Sequence, residues 1–374
     1  MNVKQLKADV IEFAQQIGID KIRFASADTF ETLKERLIEN RKLGYESGFE
    51  EPDLEKRTNP KLLLPKAKSI IAIALAYPSK MKNAPRSVKG ERRGIFCRAS
   101  WGKDYHHVLR EKLDQLEEFL QSQHEDVRTK SMVDTGELSD RAVAERAGIG
   151  WSGKNCMIIT PEFGSYVYLA EMITNIPFEP DERIEDQCGS CNKCIEACPT
   201  GALVNPGQLN SQRCISFQTQ TKGFLPDEFR TKIGNRIYGC DTCQMVCPKN
   251  KGVDFHLHPE MEPDPEIAKP LLKPLLTISN REFKEKFGHI AGPGGGKNRF
   301  SETRSSLWPT LRKRAHCLSS FLLCIKIRVL SSGELQHGLS ERSGKRICLR
   351  SLKKRCPAKR MTKQKRKFKK AFSF

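Results

Sequence analysis

The sequence predicts a layered α/β domain over residues 1–180 that leads into a compact cysteine-rich insert. Two observations carry that expectation. Strand-like and helix-like segments alternate through the first half of the chain. Eight of the 14 cysteines then fall between Cys188 and Cys247.

Residues 2–17 place Val3, Leu6, Val10, Phe13 and Ile17 three and four apart, the stripe of an amphipathic helix. Lys21 to Ala25 alternates like a short strand, and a second helix is expected around Phe30 to Arg41. Gly44 to Pro60 is polar and glycine-punctuated, which puts Arg57 and Asn59 in a loop. Ile70 to Ala76 is a continuous apolar run ended by Pro78, the pattern of a strand buried on both faces. A basic irregular stretch holding Cys97 precedes a helix from Tyr105 to Leu120, with Val108, Leu109, Leu113, Leu116 and Phe119 on its apolar face. Val127 to Val133 reads as a strand, Asp134-Thr135-Gly136 as the turn after it, Leu138 to Ala147 as a helix, Trp151 to Asn155 as a polar loop, and Ser165 to Thr174 as a strand.

The cysteines spell CxxCxxCxxxCP from Cys188 through Cys191, Cys194 and Cys198. A second run, Cys240, Cys243 and Cys247, also ends in Cys-Pro, and Cys214 stands between them. This is the pattern of a module with two [4Fe-4S] clusters, in which the last cysteine of a run crosses to the other cluster. Cys188, Cys191, Cys194 and Cys247 are therefore expected to hold one cluster, and Cys198, Cys214, Cys240 and Cys243 the second. Zinc ribbons or disulfides would favour isolated CxxC pairs without the trailing prolines. Cluster thiolates require a reducing compartment, and the amino terminus has no apolar export segment, so a cytoplasmic protein is expected.

The net charge of +20 suggests a nucleic-acid ligand, but its distribution changes that inference. Residues 301–374 carry 21 Lys and Arg against 3 Asp and Glu, whereas residues 1–300 carry 44 against 42. No GxGxxG or P-loop pattern occurs, so a dinucleotide or ATP site is not supported.

Gly102-Lys103-Asp104-Tyr105-His106, Val133-Asp134-Thr135-Gly136, Asp140-Arg141, Ala144-Glu145-Arg146-Ala147-Gly148, Gly153-Lys154-Asn155 and Pro161-Glu162-Phe163-Gly164-Ser165, followed by the two cysteine runs, resemble the bacterial epoxyqueuosine reductases. The resemblance covers residues 1 to about 291. It implies a nitroreductase-like α+β domain that binds cobalamin, an inserted ferredoxin domain over 181–250 with two [4Fe-4S] clusters, and reduction of epoxyqueuosine to queuosine at the wobble position of tRNA. It also implies that Asp134 donates a proton, kept on its carboxyl group by the apolar macrocycle nearby. Cys97 would lie near the cobalt face, and Arg57, Asp134, Gly153, Lys154, Asn155 and Ile158 would contact the cofactor. Arg213, Lys222, Arg230, Lys232 and Arg236 are candidates to hold tRNA phosphates. Cys156 is expected to pack, and His106 to open a helix or meet substrate. A monomer served by an external electron donor, with no membrane association, completes the expectation. A corrinoid and iron–sulfur reductive dehalogenase is the rival enzyme, and an electron-transfer ferredoxin without catalysis of its own the rival from another class.

Residues 251–291 are expected to link to a carboxy-terminal region, where the family carries helical repeats. After Ala291 the text changes to a basic, serine-pocked tail over 292–374, expected to be disordered. Pro293 to Thr310 can be back-translated so that the neighbouring frame reads SWRGQKPFQRNAILALAH, a helix-forming peptide, which points to a frameshift; resequencing around the Gly292 codon tests it.

Overall fold

The computed structural model describes residues 2–221, 225–275 and 277–292. Its centre is a four-stranded sheet in the order Lys21–Ser26, Ser69–Ala76, Val167–Thr174, Thr129–Met132, with every neighbouring pair antiparallel. The fold is therefore α+β, although the order of segments along the chain had suggested an alternating α/β plan.

Ser69–Ala76 is apolar from Ile70 onward because it is interior to the sheet and helices cover both faces. Ile71, Ile73 and Leu75 join Phe24 and Met172 under the Val3–Gln16 and Tyr105–Gln123 helices. The alternate set, Ile70, Ala72 and Ala74, joins Ile173 and Met132 under Val143 and Ala144 of the Asp140–Arg146 helix and Ala147 at its C-cap. Leu6, Val10 and Ala14 supply the buried stripe expected of the first helix. Asn2 caps that helix by accepting the Gln5 N–H, which satisfies one of its free donors.

The cysteine-rich insert is bound to this domain at several points. Its Arg236–Tyr238 strand pairs in parallel with Ile95–Phe96. Buried Asn250 accepts the Ser165 N–H at 2.8 Å, and donates to Ser165 Oγ and the Gln244 carbonyl, each at 2.8 Å. Gln244 Nε2 donates to the Ser165 carbonyl at 2.8 Å. Residues 251–291 pack onto the rest of the described chain. Asp254 accepts the Ser79 and Lys80 N–H groups, His258 meets Asp20 at 2.7 Å, and a capping box of Ser279 and Glu282 opens the Asn280–Phe287 helix, which buries Phe287 against Phe96. The expectation of a disordered tail, like the frameshift, concerns residues outside those described, Gly292 excepted.

Candidate active site and cluster module

Asp134 follows the sheet's edge strand in the left-handed region, at φ +52°, a conformation Asp adopts more readily than most residues. Its N–H donates to Asp140 Oδ2 at 2.7 Å, which ties the turn to the first residue of the Asp140–Arg146 helix. The carboxylate is thereby turned outward, 61% exposed, toward the start of the Tyr105–Gln123 helix.

Two residues from that helix start converge on it, and a third, Asp104, holds one of them. The Tyr105 hydroxyl donates to Asp134 Oδ2 at 2.9 Å, and His106 Nε2 stands 3.3 Å from the same oxygen. The other ring nitrogen of His106 is 2.7 Å from Asp104 Oδ1, and Asp104 also caps the helix by accepting the His106 N–H. Burial works against a charge on His106, but the hydrogen bonds to Asp104 and Asp134 outweigh it and push the imidazole up to about 9. His106 in turn holds the Asp134 carboxyl below its ordinary value, with Tyr105 adding to the effect. The proton of the pair rests on His106, because a cationic partner outweighs desolvation at an open carboxylate.

Behind this group lies a carboxyl that sequence patterning missed. Glu171 is buried in the Val167–Thr174 strand and both its oxygens lack a hydrogen-bond partner among the described residues, so burial raises it well above the ordinary carboxylate range, helped by Asp140 and Asp134. Asp140 is likewise pushed up to about 6, by burial first and then by Asp134. Glu171 was legible only as a lone acid within an otherwise buried strand.

The eight insert cysteines are all free thiols and half-buried. Cys194 is within electrostatic range of Cys247 and Cys188, and Cys214 of Cys240 and Cys198. Cys243 feels Cys240 and Cys214 before Cys194 and Cys198. Among the described residues no group of three or more His, Cys, Asp or Glu is arranged so that it could hold a metal ion. Backbone N–H groups also point at the sulfurs, as where Ala202 donates to Cys198 Sγ at 3.2 Å.

Other candidates divide. Arg57 lies in the short Leu54–Thr58 helix, capped by Asp53, rather than in a loop, and Asn59 caps the helix that follows. Arg57 Nε and Asn155 Nδ2 are buried donors with no hydrogen-bond partner among the described residues. Lys154 instead spends its ammonium on the insert, donating to the Gly189 carbonyl at 2.6 Å and to Asn192 Oδ1 at 3.2 Å. Ile158 belongs to the apolar cluster under the Asp140–Arg146 helix, and Gly153 packs where a Cβ would fall 2.5 Å from Ile159. The Cys97 thiol is pressed against Gly239, bonds Ser100 Oγ at 3.4 Å, and is pushed up to about 12 by burial and then Asp241. Cys156 sits in the left-handed region with Cys194 and Cys214 in its electrostatic surroundings.

The basic candidates are largely engaged within the fold. Arg213 Nε donates to the Thr200 carbonyl, Arg230 pairs with Asp227 at 2.7 Å, and Arg236 bonds Thr242 Oγ1 at 2.7 Å. Lys232 is half-buried, and Lys222 lies outside the described residues.

A family model described as epoxyqueuosine reductase QueG, DUF1730, matches residues 57–135, and one described as a 4Fe-4S double cluster binding domain matches residues 187–250. The epoxyqueuosine reductase of Bacillus subtilis (strain 168) is 81% identical over 297 residues, which span 79% of this chain and 77% of that protein. The chain belongs to the epoxyqueuosine reductase family. A crystal structure of an epoxyqueuosine reductase with a tRNA-Tyr epoxyqueuosine-modified stem loop matches with a TM-score of 0.80 at 78% identity, covering 82% of this chain and 81% of that one. A structure of the B. subtilis epoxyqueuosine reductase, described as having its Asp134 catalytic loop swung out of the active site, matches with a TM-score of 0.80 at 77% identity, covering 82% of each chain. The insert is accordingly an iron–sulfur module.

Proposed function

We propose that this chain reduces epoxyqueuosine to queuosine in tRNA, using two [4Fe-4S] clusters, cobalamin and the protons held around Asp134. The observation that carries the proposal is the union, in one chain, of the hydrogen-bonded Asp104–His106–Asp134 series with the eight-cysteine module. Removing the epoxide oxygen as water, to leave an alkene, consumes two electrons and two protons. The cysteine module answers the first need and the Asp134 group the second.

Cys188, Cys191, Cys194 and Cys247 are assigned to one cluster, and Cys198, Cys214, Cys240 and Cys243 to the other. Bound cobalamin would supply a cobalt centre able to take electrons singly from the clusters and pass them to the epoxide carbon. The residues present fit such a cofactor. A corrin is fringed with amides that accept and donate hydrogen bonds, and Arg57 Nε and Asn155 Nδ2 are buried donors in need of an acceptor. Cys97, as a neutral thiol, would contribute packing at that site rather than anionic ligation.

Asp134 orients toward the epoxide oxygen and passes it a proton drawn from His106. Asp104 holds the imidazole by its far nitrogen, so that the proton-bearing Nε2 faces Asp134. Tyr105 keeps the Asp134 carboxylate in place through its hydroxyl. For tRNA, Arg213, Lys222, Arg230, Lys232 and Arg236 remain the candidates for phosphate contacts. Lys232, whose ammonium has no hydrogen-bond or ion-pair partner among the described residues, is the first to test. The enzyme is assigned to the cytoplasm as a monomer served by a reducing electron donor. No helix among the described residues is long and apolar enough to cross a membrane.

Asp134→Asn provides the test. Corrinoid and both clusters should bind as in the parent, while turnover of an epoxyqueuosine-modified anticodon stem-loop falls by about 10²- to 10⁴-fold, the range of general acid catalysis. Unchanged turnover would leave Asp134 a turn residue.

A further inference from the structure

Residues 80–93 carry six Lys and Arg against a single acid, Glu91, a balance of +5. Residues 1–300 as a whole balance at +2, so the rest of that span is net negative and its positive charge is concentrated here. The segment is built as a hairpin. Val88 and Glu91 exchange both backbone hydrogen bonds, at 3.2 and 3.1 Å, and Gly90 between them takes φ +89°, a left-handed conformation open to glycine. At its base the Leu272 N–H donates to the Arg92 carbonyl at 2.8 Å, the Gly94 N–H donates to the Pro270 carbonyl at 2.9 Å, and Arg93 pairs with Glu266 at 2.8 Å. Beyond the base the chain enters the Ile95–Phe96 strand beside Arg236–Tyr238 of the insert, and runs on to Cys97 and Asp104.

Of the six cations, Arg93 is the one that the fold neutralises. Lys80, Lys82, Arg86, Lys89 and Arg92 are exposed, and their side chains have no hydrogen-bond or ion-pair partner among the described residues. Arg213, Arg230 and Arg236 differ, since their guanidinium groups already bond within the fold. Like charges held close together repel one another, and a polyanion relieves that repulsion while releasing its own counterions. We propose that the 80–93 hairpin is an RNA-contact arm, in which Arg86, Lys89 and Arg92 take backbone phosphates of the tRNA substrate away from the nucleotide that reacts. The inference rests on tRNA being the substrate. RNA is favoured over other polyanions because the hairpin springs from the strand that leads into the candidate active site, and a nucleotide held there carries a phosphate backbone with it. Such contacts position the RNA without reading its sequence.

The test measures binding of a tRNA-Tyr transcript over a range of salt concentrations, for the full chain with its clusters and for the variant carrying Arg86→Gln, Lys89→Gln and Arg92→Gln. The dissociation constant of the variant should rise by about tenfold or more at low salt, and the slope of its logarithm against that of salt should shrink by about 2, as expected for the loss of three phosphate contacts. Arg86→Lys, Lys89→Arg and Arg92→Lys together should bind as the parent does. Equal affinity and equal slope for the parent and the glutamine variant would overturn the proposal. Weaker adsorption of the variant to anionic lipid vesicles, with tRNA binding unchanged, would give the hairpin to a membrane surface and overturn it as well. Should the glutamine variant lose its clusters, Lys89→Glu alone, at the exposed tip, carries the same outcomes. A parent chain that does not bind tRNA would overturn the substrate reading together with this inference, whereas a variant indistinguishable from a tRNA-binding parent overturns this inference alone.

Discussion

His106 carries the charge that organises the candidate active site. Its value of about 9 lies above the 6.5 of an ordinary imidazole. The contacts of its cation with Asp104 and Asp134 therefore contribute stability fully below about pH 6.5, and that contribution is lost as pH rises through about 9. Proton delivery should follow the same limb. Single-turnover rates are expected to fall above about pH 9, and Asp104→Asn should move the fall to lower pH by removing one of the two hydrogen bonds that hold the proton. An alkaline limb unmoved by that substitution would detach His106 from the proton supply. At Gly239, φ is +69° and an added Cβ would lie 2.3 Å from Cys97 Sγ. Gly239→Ala should cost about 1–3 kcal/mol from backbone strain alone, read as a lower melting temperature.

Between elements, the decisive contact is the buried polar latch formed by Ser165, Gln244 and Asn250. Asn250 uses its amide on both sides, so Asn250→Ala leaves the Ser165 N–H and the Gln244 carbonyl without their partner. Each unsatisfied buried group costs about 1–3 kcal/mol, and the variant should melt earlier and lose iron faster to a chelator than the parent. Equal iron retention would show that the insert holds its clusters without the latch. The elements themselves were largely legible in the sequence. Ile70 to Ala76 announced a strand covered on both faces by its unbroken apolar run, and the first helix by its stripe. The antiparallel pairing was not legible, since strand direction depends on how the chain returns to the sheet. Nor was the latch, whose partners at 165, 244 and 250 are polar residues without periodicity.

At the scale of the molecule, one fold joins an electron-carrying module to a proton-holding turn. The cysteine spacing announced the clusters, because cluster ligation is local in sequence. The proton site was legible only in part, because Asp104, Tyr105, His106 and Asp134 come together through packing of a helix start beside a sheet edge. Asp134 stood out through family motifs, whereas the protonated state of its partner emerged from distances of 2.7 and 3.3 Å.

The most direct measurement of the central claim is mass spectrometry of an epoxyqueuosine-modified anticodon stem-loop after anaerobic incubation with the full chain, its clusters, cobalamin and a strong reductant. The account predicts loss of one oxygen to give queuosine, abolished when either cobalamin or the clusters are withheld. An unaltered stem-loop in the presence of both cofactors, or equal conversion without cobalamin, would contradict it.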